Sequence, residues 1–215
     1  MQKARTDPDS TASQVLHRIR AWGSGAVFVP TDFLDLGTRS AVDAALGRLT
    51  ASSSIRRIGR GVYDFPKAHS RFGLRAPSVD AVAHAIARSN REAICHSPAT
   101  AANMLGVSTQ VPARATYLTD GTNRVFSVDL GGGRGFDITF KRSRRTAGAD
   151  TKAGLVLRAL SFLGRDGIED STVRQLRAAL SDSDVRELAR LRSGAVGWMQ
   201  STISKLVDDD HERAA

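Results

Sequence analysis

Cysteine is nearly absent from this chain. The one copy, Cys95, leaves no partner for an intrachain disulfide and no cysteine pair for a zinc site. No run of residues approaches the roughly 18 apolar positions of a membrane-spanning helix. The polar N-terminus "MQKARTDPDS" lacks the apolar stretch of a secretory signal. Together these absences predict a cytoplasmic protein with no membrane partner. Internal repeats and long low-complexity tracts are missing too. What is present is 41% apolar residues in a chain of 215, enough for a real core in one large domain or two small ones.

Acidic residues are also in short supply, and unevenly so. The formal charge is +9, and residues 1–77 hold 12 Lys and Arg against 6 Asp and Glu, whereas residues 151–215 hold 10 of each. A basic excess concentrated in the N-terminal third points to a polyanionic partner for that third.

The order of elements there is informative. "ASQVLHRIRAW" spaces Val15, Leu16, Ile19 and Trp22 as one face of a helix stopped by Gly23 and Gly25, and "AVFV" is a short strand ended by Pro30. Thr31 can cap a second short helix, "DFLDL", closed by Gly37. Thr38 is a good N-cap for a third, "RSAVDAALGRLTAS", with Val42, Ala45, Leu46 and Leu49 as its buried stripe. "IRRIGRGVYDFP" then reads as a two-stranded ribbon. Helix, short strand, helix, tight turn, helix, ribbon is the order of a winged helix-turn-helix, whose last helix is free to enter a major groove.

The segment "KAHSRFGLRAPS" reads as a linker, which divides the chain into residues 1–77 and 78–215. Beyond it, helices are expected at Val79–Ile86 and at "ATAANMLG". Strands are expected at "EAICH", "ATYLT", "RVFSVDL" and "FDITF", followed by a helical tail from residue 152. The expected fold class is α+β: an N-terminal winged helix-turn-helix domain followed by a C-terminal α+β domain with a helical tail.

Helical geometry places Arg39, Ser40, Asp43, Ala44, Gly47 and Arg48 opposite the buried stripe of the third helix. Arg39 can donate two hydrogen bonds to a guanine edge or bind a phosphate, and Ser40 can bond either; otherwise Arg39 pairs with Asp43 at i,i+4. Glycine inside a helix costs about 1 kcal/mol relative to alanine, so Gly47 answers either to close contact with DNA or to packing between helices. In the ribbon, alternation turns Ile58 and Val62 inward, and Arg57 with either Arg56 or Arg60 outward, towards a sugar-phosphate backbone or the adjacent minor groove; otherwise the charges only keep a solvated hairpin from pairing edge to edge. Gly59 and Gly61 are expected to supply positive φ at the tip. "KRSRR" adds a second basic cluster, Lys141, Arg142, Arg144 and Arg145, which is either a contact surface or a solvated loop.

Catalytic signals are poor. "GGGRG" at 131–135 lacks the Lys-Ser/Thr ending of a phosphate loop and reads as a hairpin turn. Cys95 and His96 are adjacent, so on a strand they face opposite ways. Asp129 and Asp137 can face one another across a hairpin, but such aspartates are more often solvated. No catalytic centre, metal or cofactor is expected.

"VFVPTDFLDLGTRSAVDAALGRL" and "IRRIGRGVYDFPK" resemble the N-terminal winged helix of AbiEi-type antitoxins, the transcriptional-repressor halves of bacterial type IV toxin-antitoxin systems. The resemblance continues through "HSPATAANMLGVSTQVPARATYLTDG", "FKRSRR" and "GLVLRALSFLGRDGIEDSTVRQLRAAL" to "GWMQ", about residues 13 to 207. It implies a two-domain protein that binds double-stranded DNA at repeats in the promoter of its own operon and represses it; self-association on the DNA, through cooperative occupancy of adjacent repeats, is a separate expectation. By position, it implies recognition-helix contacts from Thr38, Arg39, Ser40 and Asp43, and wing contacts from Arg56, Arg57 and Arg60. The implied cognate toxin is nucleotidyltransferase-like and is counteracted without an obligatory stable complex. Two rivals stand beside this reading: an antitoxin that neutralises its toxin by direct protein binding, and an enzyme acting on nucleic acid.

Overall fold

The computed structural model describes residues 10–208 apart from 72, 145, 147 and 150. It is α+β, and by internal contacts it divides into two units. One runs to Glu92 and takes in Val125–Ile138; the other comprises Ala93–Arg124 and the residues from Thr139 onward.

The first unit opens with α1 (Thr11–Trp22), whose N-cap Ser10 accepts from the Ser13 amide and which ends at Gly23, φ +86°. Strand β1 (Val27–Phe28) follows, then a single 3₁₀ turn at Pro30–Phe33. A second α-helix was expected here, and the structure corrects that. Phe33 is the one fully buried apolar side chain of "DFLDL", too little to support a helix against its nucleation cost. The cap is also not Thr31: Asp32 Oδ2 accepts from the Val29 amide at 3.0 Å.

Helix α2 (Arg39–Ala51) is capped by Thr38, whose hydroxyl accepts from the Ala41 amide. Val42, Ala45, Leu46 and Leu49 are its buried residues, the stripe that the sequence predicts. Strands β2 (Arg56–Gly59) and β3 (Val62–Asp64) form the ribbon, and β1 joins it on the far side of β3 to give the order β1-β3-β2. The core beneath is aromatic. Phe28 meets Phe33 edge-on at 5.6 Å and stacks near-parallel on Tyr63 at 6.3 Å. Trp22 is half exposed yet lies 5.3 Å from Phe33. Each fully buried phenylalanine contributes about 1.5–3 kcal/mol, so these rings fix α1, β1, the 3₁₀ turn and the wing against one another.

The expected linker contains a small antiparallel ribbon, β4 (Ala68–His69) and β5 (Gly73–Leu74). Two-residue strands are too short to show a periodicity. Helix α3 (Val79–Asn90) follows and packs on β1 and β3. Arg88 of α3 donates to both carboxylate oxygens of Asp32, at 3.3 and 3.2 Å, and to the Val27 carbonyl at 3.4 Å. The first unit therefore extends past the expected boundary at 77/78. It also recruits all but the first residue of β8 (Arg124–Gly131) and the first half of β9 (Arg134–Arg142), whose connecting Gly131, Gly132 and Gly133 all have positive φ. The Phe126 ring lies directly against Gly59, where an added methyl would overlap it.

In the second unit, β6 (Ile94–His96) pairs antiparallel with β7 (Ala115–Thr119), and the full strand order is β6-β7-β9-β8. Helices α4 (Pro98–Met104), α5 (Lys152–Leu163), α6 (Asp170–Ala178), α7 (Asp182–Leu191) and α8 (Gly197–Asp208) enclose a separate core. Ala101, Ala102, Ala153 and Ala159 lie in that core beside Leu160, Leu176, Leu188 and Ile203, so small residues let α4 approach α5 closely. Among the described residues no helix is long and apolar enough to cross a membrane.

Arg18 of α1 reaches across to Asp35 with two bonds of 2.7 and 2.6 Å, fastening α1 to the segment that leads into α2. The bond to Arg18 holds the Asp35 carboxyl below its ordinary value. A carboxylate depressed on folding stabilises fully above its unfolded-state pKa and loses that contribution as pH falls through the folded one. Asp35→Asn should therefore lower stability at neutral pH and flatten the acid limb of a urea-midpoint-against-pH curve, which equilibrium unfolding at stepped pH measures.

Candidate nucleic-acid interface

The helix face opposite the buried stripe of α2 is open. Thr38, Arg39, Ser40, Asp43, Ala44, Gly47 and Arg48 are all exposed. Arg39 Nε donates to both carboxylate oxygens of Asp43, at 3.0 and 2.9 Å, with the two side chains 58% and 49% exposed. The i,i+4 pair therefore forms, but a pair this exposed is worth only a few tenths of a kcal/mol and yields readily to a stronger acceptor. Thr38 accepts with its hydroxyl at the helix cap, and its proton remains available to donate.

Gly47 had two explanations in the sequence, close external approach or internal packing. A methyl built on it meets no heavy atom within 4 Å. Internal packing is therefore not what requires glycine there. Together with Ala44, it leaves a shallow, low-relief strip flanked by Arg39, Ser40 and Arg48.

In the wing, β2 and β3 pair Arg56 with Asp64 and Arg57 with Tyr63, and a bulge separates Arg57 from Gly59. Ile58 and Val62 face inward as predicted. The three wing arginines differ in their surroundings. Arg56 donates through Nε and Nη2 to the two oxygens of Asp64, at 3.0 and 2.6 Å, with the carboxylate only 1% exposed. Leaving a charge so deeply buried without a partner costs several kcal/mol, so Arg56 is committed to the fold. Arg57 and Arg60 are exposed, Arg57 bending its Nε to the Gly59 carbonyl at 3.3 Å. The glycines divide as well. Gly61 has φ +70° and makes the turn, whereas Gly59 lacks positive φ and has the Phe126 ring against its open side.

The second cluster is looser. Lys141 and Arg142 are exposed at the end of β9. Arg144 lines a cleft of about 350 Å³ with Ser143, Leu157, Arg158 and Met199. Arg145 lies outside the described residues.

The possible acid pair does not form. Asp129 closes the glycine turn by accepting from the Gly131 amide at 2.8 Å, and Asp137 accepts from Ser127 Oγ at 2.7 Å. Among the described residues no group of three or more His, Cys, Asp and Glu side chains could hold a metal. Sequence reasoning also missed the basic ribbon at 67–75 and the contribution of Phe126. Gly73, between Lys67 and Arg75, was the available signal for the ribbon, and its φ of +69° in the structure fits a turn.

The division of the wing arginines is measurable. Arg56→Ala should destabilise the chain by about 3–5 kcal/mol, because it strands Asp64, whereas Arg60→Ala should change stability by no more than about 0.5 kcal/mol; urea unfolding followed by circular dichroism separates them. By the same measurement Gly47→Ala should stabilise by about 1 kcal/mol, since the added methyl meets nothing.

A search of solved structures returns the Rv2827c protein from Mycobacterium tuberculosis, with 16% identity and a TM-score of 0.42 over 92% of this chain and 76% of that one. No curated protein matches. Residues 14–188 match a family described as "Family of unknown function (DUF6088)". That match spans most of the chain and runs from α1 through α7, so the protein belongs to the DUF6088 family.

Proposed function

We propose that the chain is a cytoplasmic, double-stranded-DNA-binding autorepressor that serves as the antitoxin of a toxin-antitoxin system. The observation that carries the DNA-binding part is the open face of α2. It combines a capped N-terminus, two exposed arginines and a glycine whose missing side chain serves no internal packing. A helix presented in this way can sit deep in a major groove. Arg39 then exchanges its weak bond to Asp43 for a base edge or a phosphate, and Arg48 reaches the backbone. Arg57 and Arg60 grip phosphates from the wing, with Arg56 as the residue that keeps the wing in shape.

Repression follows from occupancy, because a protein seated on its own promoter repeats excludes the polymerase, and neighbouring copies assist one another on adjacent repeats. Nothing in this mechanism calls on catalysis, a metal or a cofactor. The antitoxin part rests on the likeness of "RRIGRGVYDFP" and the downstream motifs to AbiEi-type antitoxins, with a nucleotidyltransferase-like toxin as the implied counterpart.

The decisive experiment is a gel shift with DNA from upstream of the gene, across a salt series. Tighter binding to that DNA than to random duplex is expected. Arg57→Ala should reduce the slope of log affinity against log salt by about 0.9, while Arg39→Ala should chiefly alter sequence preference. Gly47→Gln, which adds bulk to the strip, should weaken binding without loss of fold. Equal affinity for own and random DNA would overturn the autorepressor reading. Co-elution with the product of the neighbouring gene on a sizing column would favour neutralisation by direct protein binding instead.

A further inference from the structure

We infer that the β4–β5 ribbon is a second phosphate-binding element, fastened to the wing and extending its grip along a nucleic-acid backbone. This rests on the reading of the first unit as a duplex-binding module.

The first support is how the ribbon is attached. Arg56 Nη2, already bonded to Asp64, also donates to the Arg75 carbonyl at 3.1 Å. One largely buried guanidinium thus ties together both wing strands and the end of the second ribbon. Because the acceptor is a backbone carbonyl, the bond fixes where the ribbon lies and leaves the Arg75 side chain outside.

The second support is the charge that the ribbon carries. Ala68 pairs with Leu74 and His69 with Gly73, which brings Lys67 and Arg75 opposite one another, and the Arg75 amide donates to the Lys67 carbonyl at 2.9 Å. Both side chains are exposed, and neither has an ion pair among the described residues. Like charges directly opposite on paired strands destabilise the pairing. Residues 67–75 also include exposed Arg71 and no acidic residue. A ribbon needs no such arrangement to fold, and a bound anion converts the repulsion into attraction.

The third support is continuity. Arg57 and Arg60 are the exposed arginines of the wing, and Arg56 joins that wing to the Lys67–Arg75 end of the ribbon. Two ribbons joined by one guanidinium thus each carry exposed basic side chains, an arrangement that suits a repeating polyanion better than a single small anion.

The test measures binding of the full chain to a labelled random-sequence duplex of about 30 base pairs at stepped salt. The double variant Lys67→Gln/Arg75→Gln should lower the magnitude of the log affinity against log salt slope by about 1.8, two contacts' worth. Arg75→Lys, which keeps the charge, should retain the parent slope. The urea midpoint of the double variant should hold or rise, since a like-charge pair has been removed, whereas a purely structural role would lower it. A parent slope in the double variant, in a protein that binds the duplex, overturns the ribbon proposal and leaves the DNA-binding reading standing. Absence of duplex binding by the parent protein overturns both.

Discussion

A buried carboxylate has to be answered, and the first unit is organised around how Asp64 is answered. With 1% of its side chain exposed, Asp64 is tolerable only with a partner, and Arg56 supplies two parallel bonds. The pair locks β2 to β3 at their base, and the spare capacity of the same guanidinium reaches the Arg75 carbonyl. It also decides which charges remain available. Of three arginines in the wing, one is withdrawn into the fold, and the other two are held outward on a frame that cannot splay. On the proposed reading, phosphate contact depends on a residue that makes none.

The same economy applies to α2. Its inner side is fully specified by Val42, Ala45, Leu46 and Leu49, and the aromatic set of Phe28, Phe33 and Tyr63 sets the level at which the helix rides. Its outer side is left low and polar. Arg18 and Arg88 fasten the segment before α2 from two directions, Arg18 at Asp35 and Arg88 at Asp32. An element seated by a buried apolar stripe can present its other face to a partner with little loss of conformational freedom on binding.

What could be read from the sequence followed from how far each signal extends along the chain. The stripe of α2, its Thr38 cap and the inward Ile58 and Val62 depend on neighbours within a turn or a strand, and all were legible. So were the strands of the central sheet and the glycine turn at 131–133. The 3₁₀ turn was misread as a helix because "DFLDL" has helical spacing but only one residue deeply buried. The role of Arg56 was hidden because the burial of Asp64 is set by tertiary packing; in the sequence Asp64 looks like any solvated acid at a strand end. The expected positive φ at Gly59 is absent, and the ring that lies against it comes from a distant strand. The open space around Gly47 was unreadable in principle, because it is a property of what does not pack there.

The contact between Gly59 and Phe126 has a consequence for the order in which the protein can be made. Chain synthesis delivers α1, α2, the wing and α3 well before it delivers β8 and β9, yet the first unit is complete only when Val125–Ile138 has joined it. A nascent chain that has emerged as far as Glu92 carries a wing whose Gly59 face has no ring upon it. Contacts of such wide sequence separation form late, after the loop-closure entropy between the segments has been met. The first unit is therefore not contiguous in the chain, and its completion waits on strands that also lead into the second.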